Sequence, residues 1–194
     1  DRHAARERLH RAGDDRPWVL VVGHWIERKD PLLALEAFRR GAPREARLFF
    51  VGRGPLEDRL REAALAHDLN GRVTLVGEAA PEELADWYRG SDALLLTSSR
   101  EGRPNVVLEA FASGLPVIAT AAGGTAELFS AWTDGLVHSR DAADLGERLH
   151  AVLAAPPPSD ALLGCVRDLT WERTFEALEG VLRAAVADAG ASAP

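Results

Sequence analysis

Short, continuously apolar runs alternate with segments of helical period along this sequence, and the alternation constrains the fold more than any other feature. The runs predict six strands, over 18–23, 47–52, 72–77, 93–97, 116–120 and 135–138. The segments between and after them predict helices over 31–40, 55–69, 81–89, 104–113, 125–129, 142–153 and 171–187. Strands that are apolar at successive positions are typical of parallel sheets covered on both faces. The pattern therefore predicts an α/β fold with a doubly wound, Rossmann-like parallel sheet of about six strands.

Length and charge set limits on the function. The 194 residues suit a single domain, whose ordered part we expect over about 17–187. A net charge of −7 argues against nucleic-acid binding, which needs a basic surface. No apolar run is long enough to predict a transmembrane segment, and no signal peptide opens the chain. Because methionine is absent, the chain is either processed or, as we favour, a piece of a longer protein.

The single cysteine, Cys165, cannot form an internal disulfide and is typical of a reducing compartment. We therefore expect a cytoplasmic protein, and leave peripheral contact with a membrane open. No histidine pair has metal-ligand spacing and no Asp-x-Asp cluster is present, so no metal site is predicted.

Ligands of open α/β sheets bind beyond the carboxyl ends of the strands. Four loops follow predicted strands at that edge: 23–30, 77–80, 98–105 and 121–125. In the third loop, Gly102 lets the backbone approach a ligand and Pro104 suits the first turn of a helix. The amides of Asn105 and Val106 then point out of the helix N-terminus, where they suit a phosphate or a sugar hydroxyl.

Two carboxylates accompany this helix start. Glu109 lies in an otherwise apolar helix, where a buried charge is costly unless it is bonded, and it could accept two hydroxyls, as from a ribose. Its alternative role is a structural ion pair with an arginine. Glu101 precedes the helix and could reach a ligand group further along, or it could be a solvated loop acid.

The first loop combines a glycine that follows a strand, Gly23, with two adjacent cations, Arg28 and Lys29. The cations could neutralise a diphosphate, although such a pair at a helix start is usually a solvated turn. Lys29 is the sole lysine among 23 basic residues, which strengthens the functional interpretation. His24 is the one histidine in a predicted ligand loop.

Two glycine pairs resemble ligand motifs but predict turns. Gly52-Arg-Gly54 lacks the third glycine of a dinucleotide fingerprint, because Glu57 stands in its place, and Thr74 stands where an acidic ribose ligand belongs. A dehydrogenase is therefore not expected. Gly123-Gly124 predicts a turn and a helix start, with a phosphate contact as the lesser alternative.

The stretch from Glu101 to Glu109, continuing to Glu127, resembles the E-x7-E region of retaining GT-B glycosyltransferases of family GT4, also called group 1. The resemblance extends from Trp18 to about Trp171. It implies that the chain is the C-terminal, nucleotide-sugar-binding half of a GT-B fold. The N-terminal domain, which would hold a glycan, lipid or small-molecule acceptor, is then absent from this chain.

The resemblance also implies roles for individual residues. Glu109 would hold the ribose hydroxyls, and Glu101 would contact the donor sugar. The amides from Arg103 to Val106 would line the sugar and the diphosphate, which Lys29 would contact. The implied site comprises Gly23, His24, Arg28, Lys29, Glu78, Ala79, Glu101, Gly102, Arg103, Pro104, Asn105, Val106 and Glu109, with Glu101 and Lys29 as its catalytic residues.

Two positions depart from the family pattern. His24 stands where members usually have arginine, and Asp30 stands where glycine is common. Arg28 or a protonated His24 could supply the missing charge. Glu78 and Ala79 would border the base of the nucleotide.

The implied reaction transfers a sugar from a UDP- or GDP-linked donor to an acceptor hydroxyl, with retention and without a cofactor. We expect the isolated chain to bind donor but not to transfer sugar. Three alternatives stay open: a non-catalytic nucleotide-sugar-binding module, a GT-B sugar-nucleotide epimerase and an interaction domain without a ligand.

Overall fold

A computed structural model describes residues 1–66, 69 and 71–191 of the chain. Its centre is a six-stranded sheet in which all described neighbours are parallel. The strands are β1 Trp18–Val22, β2 Arg47–Val51, β3 Val73–Gly77, β4 Ala93–Leu96, β5 Val117–Thr120 and β6 Leu136–Val137. They lie in the order β3-β2-β1-β4-β5-β6, so the direction of winding reverses between β1 and β4. The predicted Rossmann-like fold class is confirmed.

The predicted helices are present with shifted ends. The helices are α1 Arg2–Arg8, α2 Pro31–Gly41, α3 Glu57–Ala66, α4 Pro81–Gly90, α5 Asn105–Ala112, α6 Ala142–Ala154, α7 Ser159–Gly164 and α8 Trp171–Ala191, with a 3₁₀ helix at Gly123–Leu128. The end predicted for α3 falls partly on residues 67 and 68, which lie outside the described residues, as does 70. The chain end at 192–194 is also outside them. Two helices, α1 and α7, were not predicted.

Buried polar contacts explain why α1 is ordered ahead of residue 17. Arg6 is 4% exposed, and its guanidinium donates to Gly90 O at 2.8 Å and to Asp92 Oδ2 at 2.9 Å. It also lies 4.2 Å from the ring of Trp18. Arg8 forms a bidentate pair with Asp86 on α4, which lowers the pKa of that carboxyl. The expected ordered range therefore extends back to α1.

The core fills the space on both faces of the sheet, because β1, β2, β4 and β5 are buried along nearly their whole length, whereas the edge strands β3 and β6 are half-buried. Aromatic side chains concentrate in two clusters, one of Trp18, Phe49 and Trp87 and the other of Phe111, Phe129 and Trp132. The helices pack in two contacting groups, one of α2, α3 and α6 and the other of α1, α4, α5 and α7. None of the described helices combines the length and hydropathy that a bilayer crossing requires.

Candidate functional site

Hydrogen bonds join the loops that follow β1 and β4, the two strands between which the winding reverses. The hydroxyl of Thr97 donates to the carbonyls of Lys29 and Asp30, at 3.1 and 2.8 Å. The amide of Ser99 donates to Arg28 O at 2.8 Å. These contacts, between residues 67 to 71 positions apart, join the first and third predicted ligand loops at the carboxyl ends of neighbouring strands.

Lys29 and Glu101 form an ion pair at this junction. Lys29 Nζ lies 2.5 Å from Glu101 Oε1, and the hydroxyl of Ser98 donates to the same oxygen at 2.5 Å. Arg28 Nη1 lies 3.6 Å from Glu101 Oε2. Glu101 is only 9% exposed, so the alternative of a solvated loop acid is wrong. The fold instead holds this carboxylate against two cations and a hydroxyl.

Two glycines press against the backbone of Glu101 and Gly102. A Cβ on Gly123 would lie 2.0 Å from Glu101 O, and one on Gly124 would lie 2.1 Å from Gly102 O. Gly123 also has φ +58° and opens the 3₁₀ helix. The pair thus marks a helix start, as predicted, and a close backbone approach that supports the Glu101 loop from behind.

The start of α5 exposes backbone donors beside Glu101. The helix begins at Asn105, and the preceding Pro104 is extended, with φ −71° and ψ 111° and no side-chain cap. Pro104 therefore precedes the first turn instead of lying within it. Gly102, Arg103 and Asn105 are exposed, and the first amides of a helix have no intrahelical acceptor. This helix end can accept an anion or a hydroxyl.

Glu109 is exposed, and the expectation that its helix buries it was wrong. The helix buries Val107, Ala110 and Phe111, which form one stripe at i, i+3 and i+4, and Glu109 lies outside that stripe. Among the described residues no cation lies within ion-pair distance of Glu109, so the structure does not support an ion pair with arginine. Its partner is Tyr88 on α4, whose hydroxyl donates to Glu109 Oε2 at 2.6 Å.

The remaining residues of the first loop lie around the ion pair. Gly23 has φ +136°, and its amide donates to Val51 O at 3.0 Å. His24 and Arg28 are exposed, and Arg28 Nη1 donates to Arg100 O at 3.0 Å. A small cavity opens here, lined by the ends of β1 and β4 together with Gly23, His24, Trp25, Lys29, Pro31 and Thr97.

Asp30 adopts the left-handed conformation that glycine usually supplies, with φ +46°. Its Oδ1 accepts from the amide of Leu33 at 3.2 Å and so caps α2, and Oδ2 pairs with Arg140 Nη2 at 2.6 Å. The departure from glycine is therefore accommodated by a cap and an ion pair.

The turn at Gly52 and Gly54 is structural, as predicted. A Cβ on Gly52 would lie 2.0 Å from Gly23 O, and one on Gly54 would lie 2.4 Å from Trp25 O. These approaches pack the β2–α3 turn against the first loop. The amide of Gly52 also donates to Gly77 O at 2.7 Å, which places the loop of Glu78 and Ala79 beyond the turn.

Glu78 is exposed and Ala79 is half-buried. In the described part of the chain, no hydrogen bond or ion pair joins either residue to the loops of Lys29 and Glu101. No group of three or more His, Cys, Asp or Glu side chains suited to a metal occurs among the described residues either. The position of Glu78 and Ala79 beside the nucleotide base stays a prediction.

Two contacting residues were missed from the sequence. Ser98 gave no separate signal, because a serine at the end of a strand is common. Tyr88 did carry one: it is the sole tyrosine of the chain, as Lys29 is the sole lysine. Each of these unique residues bonds one of the two carboxylates, Glu101 or Glu109.

A doubly wound parallel sheet, with a charged pair and a helix start at its switch point, defines a Rossmann-like domain, the kind of domain that GT-B glycosyltransferases contain. The chain belongs to the family of glycosyl transferases group 1, whose model matches residues 4–162.

Curated relatives agree with the family. The chain is 36% identical over 167 residues to D-inositol 3-phosphate glycosyltransferase of Nocardia farcinica, covering 79% of this chain and 36% of the relative. It is 34% identical over 210 aligned positions to the protein of the same name from Geodermatophilus obscurus, covering 99% of this chain and 45% of the relative. The chain thus spans less than half the length of these relatives.

Solved structures share the fold. Sucrose-phosphate synthase from Thermosynechococcus elongatus superposes with a TM-score of 0.80 and 29% identity, over 95% of this chain and 49% of that one. HepE from Anabaena, solved in complex with UDP, superposes with a TM-score of 0.80 and 19% identity, over 93% of this chain and 52% of that one.

Proposed function

We propose that this chain is the donor-binding half of a retaining glycosyltransferase, which transfers a sugar from a UDP- or GDP-linked donor to an acceptor hydroxyl. The contact between Lys29 and Glu101 carries the proposal, because it sets a cation and a carboxylate side by side at the switch point of the sheet. The names of the two curated relatives and the UDP bound to HepE support a nucleotide-sugar donor.

Lys29 would stabilise the leaving diphosphate. Negative charge builds on that group as the glycosidic bond breaks, and pre-oriented donors stabilise it best where water is excluded. An ammonium has three N–H donors, so Lys29 can keep Glu101 and still donate to a phosphate oxygen. Arg28 is exposed and lies 3.6 Å from Glu101. It would supply the second cation for the diphosphate, because His24 stands where family members usually have an arginine for that role.

Glu101 and the start of α5 would hold the sugar. With Oε1 bonded to Lys29 and Ser98, Oε2 can still accept from a sugar hydroxyl. The amides from Arg103 to Val106 would meet the sugar and the diphosphate at the positive end of the helix dipole. Glu109 would accept the ribose hydroxyls, and Glu78 and Ala79 would border the base. The proposal requires neither a metal nor a cofactor.

The acceptor, a glycan, lipid or small molecule, would bind to an N-terminal domain that is not part of this chain. The exposed apolar side chains on α8 support such a domain, because large apolar patches are rarely left in water. They are Trp171, Phe175, Leu178, Val181, Leu182 and Val186. In this proposal the protein is cytoplasmic, and the isolated chain binds donor without transferring sugar.

Thermal unfolding with added nucleotides tests donor binding directly. UDP, GDP and UDP-glucose should each be compared with UMP, and at about a hundred times its Kd a ligand should add about 2.7 kcal/mol of stability. The same titration with Lys29→Ala is the control for the diphosphate site. If none of UDP, GDP and UDP-glucose stabilises the chain, the proposal is contradicted.

A product assay on the full-length protein separates the alternatives. Formation of a glycoside with the donor's anomeric configuration supports a retaining transferase, whereas an epimerised nucleotide sugar indicates an epimerase. Donor binding without turnover in the full-length protein would indicate a non-catalytic module.

A further inference from the structure

We propose that Tyr88 is a positioning residue that orients Glu109 towards the ribose and makes the site prefer ribonucleotides to 2′-deoxyribonucleotides. The inference rests on the proposed function, in which Glu109 accepts the ribose hydroxyls. Its geometric basis is the 2.6 Å hydrogen bond from the Tyr88 hydroxyl to Glu109 Oε2. Tyr88 itself cannot reach a ligand readily, because it is only 3% exposed.

The fold holds Tyr88 in a fixed place and a fixed protonation state. The residue lies near the end of α4, which packs against α5, and its ring is part of the main core. Burial raises the pKa of Tyr88 far above its ordinary value of 10, and the neighbouring Glu109 raises it further. The hydroxyl therefore stays protonated and can donate to Glu109 Oε2.

Glu109 needs such an anchor because it is exposed. A glutamate on the open face of a helix samples several rotamers, and fixing it on ligand binding costs entropy. The bond from Tyr88 fixes Oε2 beforehand. In the described part of the chain Oε1 has no hydrogen-bond partner, so it stays available as an acceptor on the ligand side.

A pre-oriented carboxylate binds a ribose more tightly than a 2′-deoxyribose. The 2′ and 3′ hydroxyls of a ribose lie on the same face of the ring and both can donate to one carboxylate, whose oxygens accept several hydrogen bonds. A 2′-deoxyribose has only one of these donors. Losing a hydrogen bond to a charged group lowers affinity by about tenfold or more.

Calorimetric titration of the 194-residue chain with UDP and with 2′-deoxy-UDP tests the inference. The unmodified chain should bind UDP about tenfold more tightly than 2′-deoxy-UDP. Tyr88→Phe keeps the buried ring and removes only the hydroxyl. This variant should weaken UDP binding by about fivefold to tenfold and 2′-deoxy-UDP binding much less, so the preference collapses.

Glu109→Ala distinguishes failure of the inference from failure of the proposed function. It should abolish the preference by itself, and adding Tyr88→Phe to it should change nothing further. If Glu109→Ala removes the preference and Tyr88→Phe leaves it intact, the positioning role is overturned and the ribose role stands. If Glu109→Ala leaves the preference intact, the ribose role falls and the inference falls with it.

A purely structural role for Tyr88 predicts a different result. In that case Tyr88→Phe would lower the affinities for UDP and 2′-deoxy-UDP by the same factor and leave the ratio of the two affinities unchanged. That result would overturn the inference. The unfolding midpoint in urea, measured for every variant, shows whether the fold is intact and completes the comparison.

Discussion

Lys29 Nζ lies 2.5 Å from Glu101 Oε1, so the sole lysine of the chain neutralises a carboxylate that the fold buries. The two residues come from loops after β1 and β4, which are neighbours in the sheet although β2 and β3 intervene in sequence. The switch point of the sheet is therefore a charged site built from two loops that lie far apart in sequence.

Replacing Lys29 with alanine should cripple transfer in the full-length enzyme. Loss of one pre-organised donor to a developing charge costs about 10²–10³ in kcat. In the isolated chain, UDP should bind more weakly, with a smaller effect on UMP, which lacks the second phosphate. Arg61→Ala on α3, which removes an exposed helix cation, is the matched control and should leave both measurements unchanged. Near-normal turnover of Lys29→Ala would refute the assigned role.

Replacing Gly123 with alanine should disturb the Glu101 loop. The new Cβ would be strained at φ +58° and would lie 2.0 Å from a backbone oxygen that cannot easily move. We expect a loss of about 1–3 kcal/mol in the free energy of unfolding, measured in urea, and weaker UDP binding. Gly102→Ala is the stability control, because among the described residues no atom outside Gly102 and its two chain neighbours lies within 4 Å of its Cβ position. Equal stability of the two variants would be inconsistent with the close approach.

Arg140 and Asp30 should be coupled in stability. Arg140→Ala removes a partly exposed ion pair and should cost about 0.2–1 kcal/mol. In an Asp30→Gly background the carboxylate partner of Arg140 is gone and glycine adopts φ +46° without strain, so the same substitution should cost nothing. Urea unfolding of the four chains of this double-mutant cycle measures the coupling, and additive effects would argue against it.

Glu36 should contribute a small acid-dependent stability. Hydrogen bonds from Arg39 and Arg40 hold its pKa at about 2 in the folded chain, below the ordinary 4.5. Because the folded pKa is the lower one, the contribution is complete above about pH 4.5 and is lost as the pH falls towards 2. The ion pairs of Glu36 with Arg39 and Arg40 are partly exposed, so we expect them to contribute less than about 1 kcal/mol to the free energy of unfolding.

The Glu36→Gln variant isolates that contribution. Its free energy of unfolding should lie below that of the unmodified chain at pH 6, and the gap should narrow below about pH 4.5 and close near about pH 2. A gap that stays constant over this range would show that the carboxylate charge does not contribute.

The class of fold could be read from the sequence because its signals are local. Continuous apolar runs ended by glycine or threonine predict buried parallel strands, and the helical periods between them predict the crossovers. The two helices that were missed have no such pattern. The helix α1 is ordered by contacts of Arg6 and Arg8 with residues more than 75 positions away, and α7 has only six residues.

The sequence by itself determined which loops lie at the ligand edge and which residues there are charged, because parallel strands align their carboxyl ends. Only the tertiary structure decided how those charges are partnered. The burial of Glu101 follows from the approach of Gly123 and the loop of Lys29, and the exposure of Glu109 follows from the face that α5 turns to the core. The bond between Tyr88 and Glu109 depends on how α4 packs on α5, and no local pattern specifies the contact between two separate helices.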